Sequence, residues 1–228
     1  MYLNYAESRP NFSEANFQLS TVMIIKVCGM READNIRQVD TLQGVDWMGF
    51  IFYPPSSRFV AEVPAYLPQH NKRVGVFVNA TCDDILQRQK AFGFDMIQLH
   101  GNESPDFCKE LSSHLKTGRQ LIKMIAITSS EDLDKTHLYE DCVDYFLFET
   151  KCKGYGGSGQ QFDWDILQHY TGKTPFLITG GIGVEDAEKV KAFQHPQFVG
   201  IDLNSRFEKA PALKDITLID KFIKQIKP

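Results

Sequence analysis

The chain carries no excess of basic residues: 25 lysines and arginines stand against 29 aspartates and glutamates, a net charge of −4. A surface built for polyanions needs the opposite balance, so no nucleic-acid partner is expected. Nor is there an apolar run near the roughly 18 residues that a membrane span requires, which argues against a membrane partner. Residues 1–21 are polar and lack the charged start and apolar centre of a secretory signal, so they read as a short extension ahead of a single domain over 22–228. Cys28, Cys82, Cys108, Cys142 and Cys152 make an odd number without any C-x-x-C pair. That argues against a disulfide framework and a structural zinc site, and it fits a reducing cytoplasm.

What the chain does have is a repeated short apolar run that ends in a polar residue or a glycine. Its first instance is Ile24-Ile25-Lys26-Val27-Cys28-Gly29, and similar runs follow at 47–52, 73–78, 96–100, 121–126, 145–149, 176–179 and 198–202. Short apolar runs rich in β-branched residues and closed by a breaker read as buried strands. Their starts lie about 22 to 31 residues apart, the length of one strand, one helix and two loops. Eight such units predict an α/β fold, a (β/α)8 TIM barrel, for which 228 residues is close to the usual length of about 250.

Between the runs, apolar spacing predicts helices over 31–42, 83–92, 104–115 and 216–226, with only a short helix over 60–67. Ser104 followed by Pro105 marks a helix start, and Gly93 marks a stop. Residues 151–161 show no periodicity and hold several glycines, as a mobile lid would. Within them Gly154-Tyr155-Gly156-Gly157-Ser158-Gly159 fits the dinucleotide pattern G-x-G-x-x-G, but no helix opens there and no acidic strand end follows at the right distance.

In such a barrel the side chains just past the strand ends carry the chemistry. Side chains alternate along a strand, so Lys26 and Cys28 leave the same face, about 7 Å apart. A nearby cation lowers a thiol pKa, so Cys28 could be a thiolate; a free cysteine is equally well a small buried hydrophobe. Glu149 closes an apolar strand, where desolvation favours the neutral, proton-donating form; paired with Lys151 or Lys153 it would instead be a solvated loop residue. Arg58, displayed from a loop stiffened by Pro54 and Pro55, can hold a planar carboxylate through two parallel hydrogen bonds, or can simply be solvated. His100 ends a strand, where histidine is more often structural. Gly180-Gly181 and Asn204-Ser205 follow the seventh and eighth runs, the place where barrels commonly bind phosphate through loop amides.

Taken in order, Lys26-Val27-Cys28-Gly29-Met30, Gly49-Phe50-Ile51-Phe52 with Ser56-Ser57-Arg58, Val74-Gly75-Val76-Phe77, Gln98-Leu99-His100-Gly101, Gly156-Gly157-Ser158-Gly159 with Phe162-Asp163-Trp164, Gly180-Gly181, and Gly200-Ile201-Asp202 with Ser205, Glu208, Pro211, Lys214 and Asp215 closely resemble the phosphoribosylanthranilate isomerase family over residues 23–227. The resemblance implies an aldose-ketose isomerase of tryptophan biosynthesis that performs an Amadori rearrangement without a cofactor. Its substrate would be a small molecule, a phosphosugar joined to anthranilate. By position, Cys28 matches the family's general base and Glu149 its general acid. Arg58 matches the residue that holds the anthranilate carboxylate, and His100, Gly180, Gly181, Asp202, Asn204 and Ser205 fall at substrate-binding positions. The chain departs from the family at the acid, normally an aspartate, and at Arg206 and Ala212, where glycine is usual. Two other functions compete: a phosphate-binding barrel that has lost turnover through the change at Glu149, and a Schiff-base aldolase using Lys26. No oligomeric state follows from the residues.

Overall fold

The computed structural model describes residues 23–115, 118–150 and 161–227. Eight parallel strands close into a barrel in chain order: β1 (Ile24–Val27), β2 (Trp47–Phe52), β3 (Lys72–Phe77), β4 (Met96–Leu99), β5 (Gln120–Ile127), β6 (Tyr145–Thr150), β7 (Phe176–Thr179) and β8 (Phe198–Leu203). Closure runs through β1 and β8, where Lys26 stands opposite Asp202 and Val27 opposite Leu203. Every strand falls on an expected run, within a residue or two. Parallel strands covered on both faces must be apolar almost throughout, which is why these segments stand out as runs.

Alternate strand residues point to opposite sides of the sheet, and the apolar side chains divide accordingly. Trp47, Val74, Val76, Met96, Ile122, Leu147 and Leu177 form one buried cluster with Cys28. The larger cluster joins residues such as Ile25, Phe50, Phe146 and Phe176 to helix residues such as Ile36, Leu111, Val190 and Phe222. Eleven-residue α2 (Cys82–Phe92) and ten-residue α3 (Pro105–His114) start where Thr81 and Ser104 accept hydrogen bonds from Asp84 and Phe107 amides. Gly93, at φ 63°, ends α2 in the left-handed conformation. α1 (Ala33–Asp40) follows β1, and α5 (Ile216–Ile226) closes the chain behind an Asp215 cap.

The crossovers are less regular than eight equal units would require. No helix forms over 60–67, contrary to expectation. Pro64 removes an amide donor inside that stretch, and Pro68 removes another just past it. Asp40 then captures it from outside, accepting from the Tyr66 hydroxyl at 2.7 Å and from the amides of Gln69, His70 and Asn71. The crossovers after β5 and β6 use 3-10 helices, Ser130–Leu138 and Trp164–His169, and the one after β7 has a 3-10 turn before the short α4 (Ala187–Ala192). Beyond β8, a hairpin of β9 (Glu208–Ala210) and β10 (Leu213–Lys214) turns at Ala212, whose φ of 66° is rare outside glycine. Among the described residues, no helix is long and apolar enough to cross a membrane.

Candidate active site

A cavity of about 510 Å³ opens at the carboxyl ends of the strands, lined by residues at the ends of β1 to β4 and β6 to β8. Cys28, Arg58, His100, Glu149, Gly180, Gly181, Asp202, Asn204 and Ser205 all face it. Nine positions chosen from sequence are thus brought to one mouth. Cys152, Lys151, Lys153 and Gly154 to Gly159 lie outside the described residues.

On the β1 side, Lys26 and Cys28 do share a face, and Gly49 on β2 makes the room. A Cβ at position 49 would sit 2.7 Å from Cys28 Sγ, closer than real side chains approach, and a tight 3.1 Å from Lys26 Nζ. Lys26 is fully buried and donates to Asp202 Oδ2 at 2.9 Å across the closure of the barrel. Burial disfavours its ammonium, but Asp202 and the thiol outweigh that and hold its pKa above the ordinary value. Asp202 keeps its second oxygen, Oδ1, buried with no described partner.

The thiol does not behave as its neighbour in sequence suggested. Burial pushes the Cys28 thiol up, and although Lys26 and Lys214 pull the other way, the net displacement is upward. Lysine is adjacent as expected, but a site where Cys28 is 4% exposed desolvates the thiolate more than the two ammonium groups compensate.

Across the cavity Glu149 is paired with histidine. His100 Nε2 lies 2.9 Å from Glu149 Oε2, and both side chains are nearly buried. The other ring nitrogen, Nδ1, lies 2.8 Å from Gln98 Nε2. His100, read from sequence as more often structural, is therefore in contact with the candidate acid.

Arg58 crosses from the β2 loop to the hairpin. Its Nε and Nη2 are held by Glu208, at 2.9 and 2.6 Å, and Glu208 also accepts from Lys214 Nζ at 2.7 Å. Burial would raise the Glu208 carboxyl, but hydrogen bonds from Arg58 and the charge of Lys214 hold it below its usual range. The parallel fork expected for a ligand is thus already filled on one edge by protein. A guanidinium has five N–H groups, so its Nη1 and outer Nη2 hydrogens form a second edge suited to a carboxylate. Gly29, at φ 79°, lets Arg58 pass: a Cβ there would meet Arg58 Cδ at 2.6 Å and Asn204 Oδ1 at 2.9 Å. Lys214 donates to that Asn204 oxygen at 2.8 Å. Glu208 and Lys214 stand in the recognised sequence pattern, but their function as the anchor of Arg58 needed the fold to become visible.

At the β7 and β8 ends, Gly180 and Gly181 take φ values of 94° and 67°. These left-handed values belong to glycine and let loop amides face an anion closely. Gln161 fixes this turn by donating to the Gly181 carbonyl at 3.0 Å and to Asp186 at 2.7 Å. Arg206 sits beside it, ion-paired with Glu185. The cavity lining therefore combines a left-handed Gly180-Gly181 turn, an arginine, a thiol and a carboxyl.

Comparison with known proteins gives consistent findings. Residues 25–225 match the family model of N-(5'phosphoribosyl)anthranilate (PRA) isomerase. The N-(5'-phosphoribosyl)anthranilate isomerase of Parabacteroides distasonis is 52% identical over 210 residues, covering 90% of this chain and 93% of that protein. The corresponding protein of Phocaeicola vulgatus is 51% identical over 205 residues, covering 90% and 98%. Among solved structures, the phosphoribosyl anthranilate isomerase of Thermotoga maritima superimposes with a TM-score of 0.75 at 28% identity, covering 90% and 98%. A phosphoribosyl anthranilate isomerase in complex with reduced 1-(o-carboxyphenylamino)-1-deoxyribulose 5-phosphate superimposes with a TM-score of 0.72 at 25% identity, with the same coverage.

Proposed function

The chain belongs to the N-(5'-phosphoribosyl)anthranilate isomerase family, and from that premise we propose that Cys28 and Glu149 are the base and the acid of its aldose-ketose isomerisation. The reaction is the Amadori rearrangement of N-(5-phosphoribosyl)anthranilate to 1-(2-carboxyphenylamino)-1-deoxyribulose 5-phosphate, a step of tryptophan biosynthesis. A cytoplasmic setting goes with such a role. Residues 22–228 act as one catalytic unit, and 1–21 stand outside it; the family match over 25–225 supports this division.

The chemistry needs one proton delivered and one removed. Glu149 gives its proton to the ribose ring oxygen, the bond from that oxygen to C1′ breaks, and the anthranilate nitrogen supplies electrons to form an iminium. The Cys28 thiolate then takes the proton from C2′, and the electrons of that C–H bond form the enolamine and neutralise the nitrogen. Collapse to the ketone moves one proton from the 2′ oxygen to C1′. A longer acid than the family's aspartate is accommodated because His100 holds the Glu149 carboxyl at 2.9 Å and fixes where it points. Gly180, Gly181, Asn204 and Ser205 take the phosphate, the outer edge of Arg58 takes the anthranilate carboxylate, and Asp202 faces the sugar between them.

The observation that carries this reading is the presence of a thiol and a carboxyl in one cavity with Arg58 and the left-handed Gly180-Gly181 turn. The Schiff-base alternative loses ground because Lys26 is fully buried and held as a cation by Asp202, whereas an amine nucleophile must be neutral. The fluorescence of phosphoribosylanthranilate provides the test. Turnover of saturating substrate by the wild-type protein is expected. Binding of inorganic phosphate without turnover would favour the phosphate-binding barrel instead.

A further inference from the structure

Only two of the buried side-chain polar atoms left without a described partner belong to residues lining the cavity, Asp202 Oδ1 and Gln98 Oε1. Asp202 was expected at the site from sequence; Gln98 was given no function there. Its side chain is 1% exposed, on β4, two residues before His100 and on the same face. A buried carboxamide oxygen without a donor costs free energy comparable to a lost hydrogen bond, so it needs an explanation. The nitrogen of the same amide is used: it sits 2.8 Å from His100 Nδ1.

We propose that Gln98 is a substrate-binding and positioning residue, its carboxamide oxygen accepting the 3′-hydroxyl of the sugar while its nitrogen fixes the tautomer of His100. The proposal rests on the isomerase reading of the cavity. An amide nitrogen can only donate, so His100 Nδ1 must accept, and the ring proton resides on Nε2. His100 Nε2–H then donates to Glu149 Oε2, leaving Oε1 as the oxygen that carries the acid proton. One glutamine thereby orients the acid through the histidine and offers its oxygen to the ligand.

The choice of hydroxyl follows from the reaction. The 2′ oxygen becomes a carbonyl and ceases to donate, so a fixed acceptor matched to it would be stranded in the product. The 3′-hydroxyl remains a donor from substrate to product. It also sits on the carbon next to C4′, which bears the ring oxygen that Glu149 protonates, so one relay from Gln98 to Glu149 can reach both.

Two measurements test this. The first is calorimetric binding of reduced 1-(o-carboxyphenylamino)-1-deoxyribulose 5-phosphate and of its 3-deoxy counterpart to the wild-type protein and to Gln98→Met. Loss of the hydroxyl should weaken binding to the wild type by about tenfold, the effect of one hydrogen bond, and barely affect binding to Gln98→Met. An equal loss in both proteins, or none in the wild type, would overturn the hydroxyl assignment. The second measurement needs no variant: nitrogen chemical shifts of His100 in the wild-type protein should show a protonated Nε2 and a bare Nδ1. A protonated Nδ1 would overturn the tautomer assignment even if Gln98→Met failed to fold. Wild-type turnover of phosphoribosylanthranilate is measured alongside, and its absence would count against the isomerase reading rather than against Gln98.

Discussion

Of the lysine–carboxylate pairs buried among the described residues, two differ in what they leave over. Lys123 on β5 donates to Glu103 at 2.9 Å, and both side chains are 2% exposed. Every capacity there is used: Lys123 also donates to the carbonyls of Leu99 and Gly101, and Glu103 accepts from the amides of Asn79 and Gly101. Lys26 and Asp202 make a pair of the same length, but Asp202 Oδ1 has no described partner and lines the cavity. The closed pair ties the β3 and β4 loops to the barrel, on either side of His100. The open one stands beside the thiol with an acceptor unspent. A buried ion pair is weak testimony to stability by itself, since desolvation offsets attraction; whether its remaining lone pairs are satisfied separates scaffold from site.

That contrast is tested most severely on the open side. Cys28→Ser should lower kcat on the order of 10² to 10⁴-fold, because a hydroxyl is a far poorer proton acceptor than a thiolate, with the thermal midpoint little changed. Steady-state kinetics beside a melting curve check it; retained kcat would remove Cys28 from the chemistry. On the closed side the effect reverses in kind. Lys123→Met strands the Glu103 carboxylate in the barrel and should cost about 3–5 kcal/mol in urea unfolding, while kcat per folded molecule falls far less than in Cys28→Ser. Unchanged stability would mean that the closed pair is not scaffold.

A smaller effect sharpens the open side further. A base must be deprotonated, and burial raises the Cys28 pKa, so the thiolate fraction is low at neutral pH and grows as pH rises toward that pKa. On this sign the rate of Cys28 alkylation by iodoacetamide, which needs only the thiolate and is followed at that residue by mass spectrometry, climbs by up to about tenfold per pH unit through neutrality. A profile flat from pH 6 to 8 would show that the thiol is already ionised in the free protein.

Much of this was legible before any coordinates, and the limits have physical causes. The strands could be read because a parallel sheet covered on both sides leaves no room for polar alternation. Lys26 and Cys28 could be placed on one face because strand geometry is local. Their consequences could not, because Asp202 lies 176 residues from Lys26 and Glu208 lies 150 from Arg58, and no local pattern links them. The thiol illustrates the same limit: its neighbouring lysine is visible in sequence, but the burial that outweighs it is a property of the closed barrel. The missing helix at 60–67 was a local apolar pattern overruled by two prolines and by Asp40 reaching in from another element. Gln98 was within reach, since the alternation that pairs Lys26 with Cys28 also pairs Gln98 with His100.

The central claim is that one acid and one base act in this cavity, and at the acid the resemblance implies aspartate where this chain has Glu149. The direct measurement is kcat of Glu149→Gln, with affinity for reduced 1-(o-carboxyphenylamino)-1-deoxyribulose 5-phosphate determined separately to show that the cavity still binds. A fall on the order of 10²-fold or more at preserved affinity is the expected result, with Glu149→Asp retaining part of the rate. A Glu149→Gln protein with wild-type kcat would mean that another group protonates the ring oxygen, and the pairing of Glu149 with Cys28 would be wrong.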